Sequence, residues 1–162
     1  MTSNLHYEAE LVVAIGKGGL RIESEEALGH VYGYAIGCDL TRRDLQADAK
    51  KMGRPWATAK GFDNSAPIGP IIPKNEITMQ STDRIALEVN GVIRQDSTLG
   101  YMTWNVPDVI SHISKNFCLK PGDLIMTGTP GGVDKLEIGD RVMISCGELP
   151  NCEFQIGKEE SS

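Results

Sequence analysis

Apolar and polar residues alternate with period two near the start of the chain. Leu5, Tyr7, Ala9, Leu11 and Val13 fall on one side, and His6, Glu8 and Glu10 on the other. A strand sends residues i and i+2 to the same face, so the pattern predicts a strand with one apolar face over 5–13. Gly16 to Gly19 reads as a turn. Ser24, followed by Glu25 and Glu26, reads as the cap of a short helix. Val31 to Cys38 is a run of small and apolar residues, which predicts a buried strand ending at Asp39. Thr41, with Asp44 three residues on, predicts the cap of a helix that Gly53 and Pro55 stop.

The stretch from Gly53 to Pro73, rich in Gly, Pro, Ala and Ser, reads as a long irregular excursion, a kind usually functional or tied down. Strand-like segments at 84–89 and 92–96 flank Asn90-Gly91, a strong hairpin signal. Asn105 ahead of Pro107 opens a helix whose apolar positions Val106, Val109, Ile110, Ile113 and Phe117 follow helical spacing. Turns at 120–123 and 139–140 lead into strands at 124–126 and 141–146, and 152–156 closes the pattern. No repeat or linker interrupts it. The expectation is one domain over 1–157 with a frayed tail at 158–162.

A chain of 162 residues can bury a real core. Eighteen glycines against 6% aromatics favour many turns, hence an α+β, predominantly β fold over a helix bundle. The net charge of −6 argues against nucleic acid and against anionic membrane surfaces as partners. No apolar run has the length of a membrane span. Of the four cysteines no pair is spaced Cys-x-x-Cys, and only three histidines exist, which argues against structural zinc. A Cys146–Cys152 disulfide stays open. The start Met1-Thr2-Ser3-Asn4 shows no apolar signal segment, so the expectation is a cytoplasmic protein with reduced thiols.

Glu8 and Glu10 on one strand face place two like charges side by side with His6 beside them. A half-buried strand avoids that arrangement unless a hard cation gathers the oxygens; the alternative is a solvated polar face on an edge strand. Asp39, where a strand gives way to a helix, would complete an all-oxygen site suited to magnesium or manganese, with zinc second. Its alternative role is a first-turn helix acid. Arg43 and Gln46 share a helix face, with Lys50 a turn further on. Arg43 can pair a carboxylate or grip a substrate acid, whereas Lys50 and Lys51 read as a solvated face. Lys60, isolated among small residues, can be desolvated and aimed at developing negative charge. Thr127-Gly128-Thr129-Pro130-Gly131-Gly132 can bring amides to an anion or form a tight turn; it is neither a Walker motif nor Gly-x-Gly-x-x-Gly. His30 and His112 read as surface or packing residues.

Four segments together resemble the fumarylacetoacetate hydrolase family: Leu5–Leu11, Gly37–Gln46, Ala59–Asp63 and Thr127–Pro130, in matching order and spacing over nearly the whole chain. Arg42–Gln46 and Gly53–Trp56 look most like the bacterial fumarylpyruvate hydrolase branch. The resemblance implies a mixed β-roll with short helices, a homodimer, and magnesium or manganese held by Glu8, Glu10 and Asp39. It implies a substrate site lined by Arg43, Gln46, Lys60 and Thr129, with Lys60 catalytic through charge stabilisation. The implied activity is hydrolysis of a carbon–carbon bond in a β-diketo acid, fumarylpyruvate or another acylpyruvate, in aromatic-compound catabolism. Relatives that decarboxylate oxaloacetate or isomerise keto and enol forms are the alternatives. By the same resemblance the chain begins almost at the metal strand. The family's preceding segment carries a histidine–glutamate pair that activates water. No general base is therefore assigned; His6 does not match that role. A shortened enzyme, a silent metal-binding remnant, or a partner supplying the missing part are all compatible.

Overall fold

In the computed structural model, which describes residues 2–157, the opening alternation is divided between two sheets. The elements run β1 (Leu5–His6), β2 (Ala9–Ile15), a 3-10 helix Ser24–His30, β3 (Val31–Cys38), β4 (Thr41–Arg42), α1 (Arg43–Lys51), α2 (Ala57–Lys60) and β5 (Ile72–Pro73). There follow β6 (Arg84–Val89), β7 (Val92–Thr98), a 3-10 turn Leu99–Tyr101, α3 (Val106–Ser114), β8 (Leu124–Met126), β9 (Arg141–Cys146) and β10 (Leu149–Gln155). One four-stranded sheet has the order β5-β3-β2-β8, the other β10-β9-β6-β7, and β1 pairs with β4 and bridges to Lys135 through His6. All of these pairings are antiparallel, in an α+β fold.

The break between His6 and Ala9 arises because Leu5 and His6 pair with Arg42 and Thr41, a partner strand more than thirty residues on. Downstream of the break β2 lies inside its sheet, between β3 and β8, and all seven of its residues are buried. The solvated edge-strand alternative is thereby excluded. Tyr7, Leu11, Val13 and Ile15 join Ile36, Ile85, Leu87, Val142 and Ile144 in one apolar cluster spanning both large sheets. Each such side chain contributes about 1.5–3 kcal/mol by leaving water.

The Asn90-Gly91 hairpin forms as expected, both residues at positive φ (54° and 77°), the primed turn that matches strand twist. Its register shifts between Leu87 and Glu88, which pair with Gln95 and Ile93. Arg94 is the unpaired residue of this bulge. The bulge turns Gln95 inward, while Val92 and Ile93 stay exposed.

Two expected caps are corrected. The Ser24 hydroxyl donates to Asp108 across the surface, and no side chain caps its 3-10 helix. Thr41 lies in β4 with its hydroxyl donating to the Asp39 carbonyl, and α1 begins at Arg43 without a side-chain cap. Asn105 does cap α3, accepting from the Asp108 amide at 2.9 Å. Phe117 lies beyond that helix and is exposed. The 53–73 excursion holds the single turn α2 and the short β5. All four cysteines are free, so Cys146 and Cys152 form no disulfide. Among the described residues no helix is long and apolar enough to cross a membrane. The expected tail at 158–162 lies outside the described residues.

Candidate metal centre

Antiparallel register brings the acids together. Ala9 stands opposite Cys38 and Glu10 opposite Gly37, so Glu8 meets Asp39 where the two strands end. The Asp39 amide donates to the Glu8 carbonyl at 2.9 Å, fixing that junction. One carboxylate oxygen from each of Glu8, Glu10 and Asp39 lies within 4.8 Å of the other two. Glu8 and Glu10 are 7% and 4% exposed. Burial pushes the Glu10 carboxyl up to about 7; the Gly128 amide and Lys60 oppose this, and the Asp39 and Glu8 charges reinforce it. Asp39 is raised too, again by burial first, against the pull of Lys60.

Two basic side chains reach the same oxygens. The Lys60 ammonium lies 2.7 Å from Glu8 Oε2 and 2.5 Å from Asp39 Oδ2, and Arg43 Nη1 lies 3.0 Å from Glu8 Oε1. Burial disfavours the Lys60 charge, but its hydrogen bonds to Asp39 and Glu8 outweigh that and hold its pKa above the ordinary lysine value. Three acids and two bases sum to one negative charge once Glu10, raised to about 7, is ionised. A divalent cation fits this donor set: the oxygens are hard, clustered and only partly neutralised. No histidine or thiolate belongs to the cluster among the described residues, and burial lifts the neighbouring Cys38 thiol to about 12. That donor chemistry suits magnesium or manganese better than zinc.

Local packing positions the bases. Lys60 ends the one-turn α2, whose Ala59 is fully buried, and the Arg42 guanidinium lies 4.2 Å above the Phe62 ring just beyond it. Arg43 Nη1 donates to Gln46 Oε1 at 2.6 Å. Because guanidinium can only donate, the Gln46 oxygen must face Arg43, leaving its amide hydrogens as the groups it presents elsewhere. Lys50 and Lys51 are exposed, the solvated face expected for them.

The Thr127–Gly132 loop closes the far side. Its Gly128 amide donates to Glu10 Oε2 at 2.6 Å and the Thr127 hydroxyl to the Leu11 carbonyl at 2.8 Å. An amide there does meet an anion, and the anion is the chain's own carboxylate. Thr129 accepts from Gln95 Nε2 at 2.8 Å. It lines a cavity of about 530 Å³ together with Tyr101, Met102, Trp104 and Val109. The three acids do not line that cavity; the loop does, touching Glu10 through Gly128.

Glu8, Asp39, Arg43, Gln46 and Lys60 thus form one hydrogen-bonded network; Glu10 stands beside the other two acids and is held by the Gly128 amide, one residue before Thr129. His6 takes no part. The strand break carries it into β1, where Nε2 meets Asn4 Oδ1 at 2.9 Å and Nδ1 is buried without a partner. His30 is buried with Nδ1 against the Lys17 carbonyl, and His112 packs edge-on to Trp104. Sequence reasoning missed Gln95, which lies in a polar-looking run and is turned inward only by the bulge. The aromatic wall of Tyr101 and Trp104 was missed as well.

The chain matches the family described as fumarylacetoacetate (FAA) hydrolase C-terminal over residues 1–157. It is 42% identical over 159 residues to a fumarylpyruvate hydrolase of Ralstonia sp, covering 98% of this chain and 82% of that one. It is 39% identical over 157 residues to a mitochondrial oxaloacetate tautomerase of Mus musculus, covering 97% and 71%. Among solved structures it superposes with a TM-score of 0.95 and 46% identity on fumarylpyruvate hydrolase from Pseudomonas aeruginosa in complex with Mn2+ and pyruvate. That match covers 98% of this chain and 68% of the other.

Proposed function

The chain belongs to the fumarylacetoacetate hydrolase family, and from that premise we propose a divalent-metal-dependent hydrolase that cleaves a carbon–carbon bond in fumarylpyruvate or another acylpyruvate. The observation that carries the reading is the cluster of Glu8, Glu10 and Asp39, compensated by Lys60 and Arg43 to one net negative charge. With Mg2+ or Mn2+ added the site becomes singly positive, which suits an anionic keto acid. When bound, the cation supplies Lewis-acid stabilisation of negative charge on a chelated dicarbonyl. Lys60 adds a fixed positive charge where the departing pyruvate fragment gains electron density. Arg43 and the outward amide of Gln46 orient the substrate's oxygens, and Thr129 binds its carboxylate.

The proposal includes one catalytic domain over 1–157, a homodimer and a cytoplasmic setting in the breakdown of aromatic compounds. The homodimer rests on the family resemblance alone, and four unpaired cysteines support the compartment.

A second reading, oxaloacetate keto–enol tautomerisation, is favoured by the 39% identity to the Mus musculus oxaloacetate tautomerase over 97% of this chain. Moving a proton between carbon and oxygen needs no activated water. Pyruvate release from fumarylpyruvate and acetylpyruvate, with and without Mn2+, tests the first reading. Metal-dependent pyruvate formation supports it. Accelerated oxaloacetate enol decay without any acylpyruvate cleavage replaces it with the second.

A further inference from the structure

We propose that Gln95 is the positioning residue that makes Thr129 a hydrogen-bond donor toward the anionic end of the substrate. The inference rests on the place given to Thr129 in the reading above.

Gln95 is 1% exposed and reaches from β7, in one sheet, to the first residue of β2, in the other. Its Oε1 accepts from the Ala9 amide at 3.0 Å, and its Nε2 donates to Thr129 Oγ1 and to the Pro130 carbonyl, both at 2.8 Å. A backbone amide can only donate and a backbone carbonyl can only accept, so Ala9 and Pro130 together forbid the flipped side chain. Both Nε2 hydrogens are committed. The Thr129 oxygen must therefore act as the acceptor, and its hydroxyl hydrogen must point away from Gln95.

Among the described residues no acceptor takes that hydrogen, and Thr129 stands on the cavity wall. A hydroxyl already accepting a hydrogen bond is polarised to donate, which suits a carboxylate and disfavours a donor ligand. The Ala9 amide fixes the orientation of the Gln95 side chain, while the loop is tied to the acid strand independently through Thr127 and Gly128. A buried glutamine in an apolar sheet interface costs desolvation unless all its hydrogen bonds are made, and here the polar ends are matched one by one.

The test is calorimetric titration of pyruvate into Mn2+-loaded protein: the wild type, Gln95→Met, Thr129→Val, Thr129→Ser and the Gln95→Met/Thr129→Val double variant. Methionine keeps the length of glutamine without its polarity. Gln95→Met and Thr129→Val are each expected to weaken pyruvate about tenfold, as for a lost hydrogen bond to a charged group. Thr129→Ser should retain affinity, and the double variant should bind no worse than Thr129→Val alone, with Mn2+ affinity within about twofold throughout. If Gln95→Met costs as much in the Thr129→Val background as in the wild type, Gln95 supports the scaffold and not the hydroxyl, and the proposal falls. Equal losses of Mn2+ and pyruvate in Gln95→Met sink it in the same way. If Thr129→Val leaves pyruvate binding intact, the substrate role of Thr129 is wrong and the inference goes with it. If the wild type takes up no Mn2+, the metal reading fails separately, and the same titrations with pyruvate alone decide the role of Gln95.

Discussion

The amide nitrogen of Gly128 stands 2.6 Å from Oε2 of Glu10, so a loop backbone orients a strand carboxylate. Gly128 has φ +101°, a region that L side chains rarely adopt, although a Cβ there would meet nothing within 4 Å. Room is present and conformation is the constraint. The glycine therefore serves the acid site and relieves no crowding.

Gly128→Ala is accordingly expected to fold but to pull the amide away from Glu10. Strain of about 1–2 kcal/mol at such a position is relieved by rotating the loop. Mn2+ affinity, followed by calorimetry, should fall roughly tenfold. Unchanged affinity would mean that the loop amide does not orient the carboxylate.

Glu10→Gln and Asp39→Asn should each weaken Mn2+ binding by at least about tenfold, because each removes one hard anionic oxygen donor. Without metal, Glu10→Gln should move the other way and raise the melting temperature at pH 8, since it removes a charge held close to two others. Opposite effects with and without the ion distinguish a metal ligand from a plain core residue. A variant that loses stability in both states contradicts the assignment.

The acid site was legible where its signals are local. Period-two alternation exposed Glu8 and Glu10, the small-residue run located β3 and hence Asp39, and Asn90-Gly91 and Asn105 marked a turn and a cap by chemistry that acts within a few residues. What was not legible depends on distant partners. Tyr7 and Glu8 interrupt the strand because β1 pairs with residues 41–42. The Ser24 hydroxyl finds its acceptor in Asp108 of α3, and Thr41 is drawn into β4 by its pairing with His6. Gln95 faces inward through a bulge whose origin is the pairing of β6 with β7, and nothing in Arg94-Gln95-Asp96 announces it.

Glu10 couples metal uptake to protons. Its carboxyl has an ordinary value of 4.5 and rises to about 7 in the folded chain, through burial first. Between these values the folded state keeps a proton that the unfolded chain has lost. Stability of the metal-free protein therefore declines as pH rises from 4.5 to 7 and levels off above, by up to about 3 kcal/mol. Asp39, also raised by burial, acts in the same sense. Mn2+ should displace roughly one proton near pH 6 and almost none at pH 8.5. Calorimetry in buffers of different ionisation enthalpy reads this directly, and equal proton release at both pH values would refute it.

Thiol chemistry checks the packing behind the site. Cys118 is exposed, whereas Cys38, Cys146 and Cys152 are buried. Burial pushes Cys38 and Cys146 up to about 12. At pH 8 a chromogenic disulfide reagent should modify Cys118 quickly and the other three only on denaturation. Rapid modification of Cys38 in the native protein would show β3 to be open beside Asp39.

Lys60 carries opposing consequences for binding and for turnover. Its ammonium occupies oxygens of Glu8 and Asp39, so in the metal-free chain it stands in as the cation those carboxylates need. Replacing it with methionine leaves Asp39 without its cation and Glu8 with Arg43 alone, and metal-free stability should fall by about 1–3 kcal/mol, the pair being only partly shielded from solvent. The same change removes a competitor for those oxygens, so Mn2+ should bind several-fold more tightly. Turnover should nevertheless drop at least about a hundredfold, because no fixed positive charge then meets the electron density that develops as the carbon–carbon bond breaks. Parallel measurement of Mn2+ affinity and acylpyruvate cleavage in Lys60→Met separates the two roles. Loss of both together would make Lys60 a scaffold for the acids, and unchanged cleavage would remove it from the chemistry.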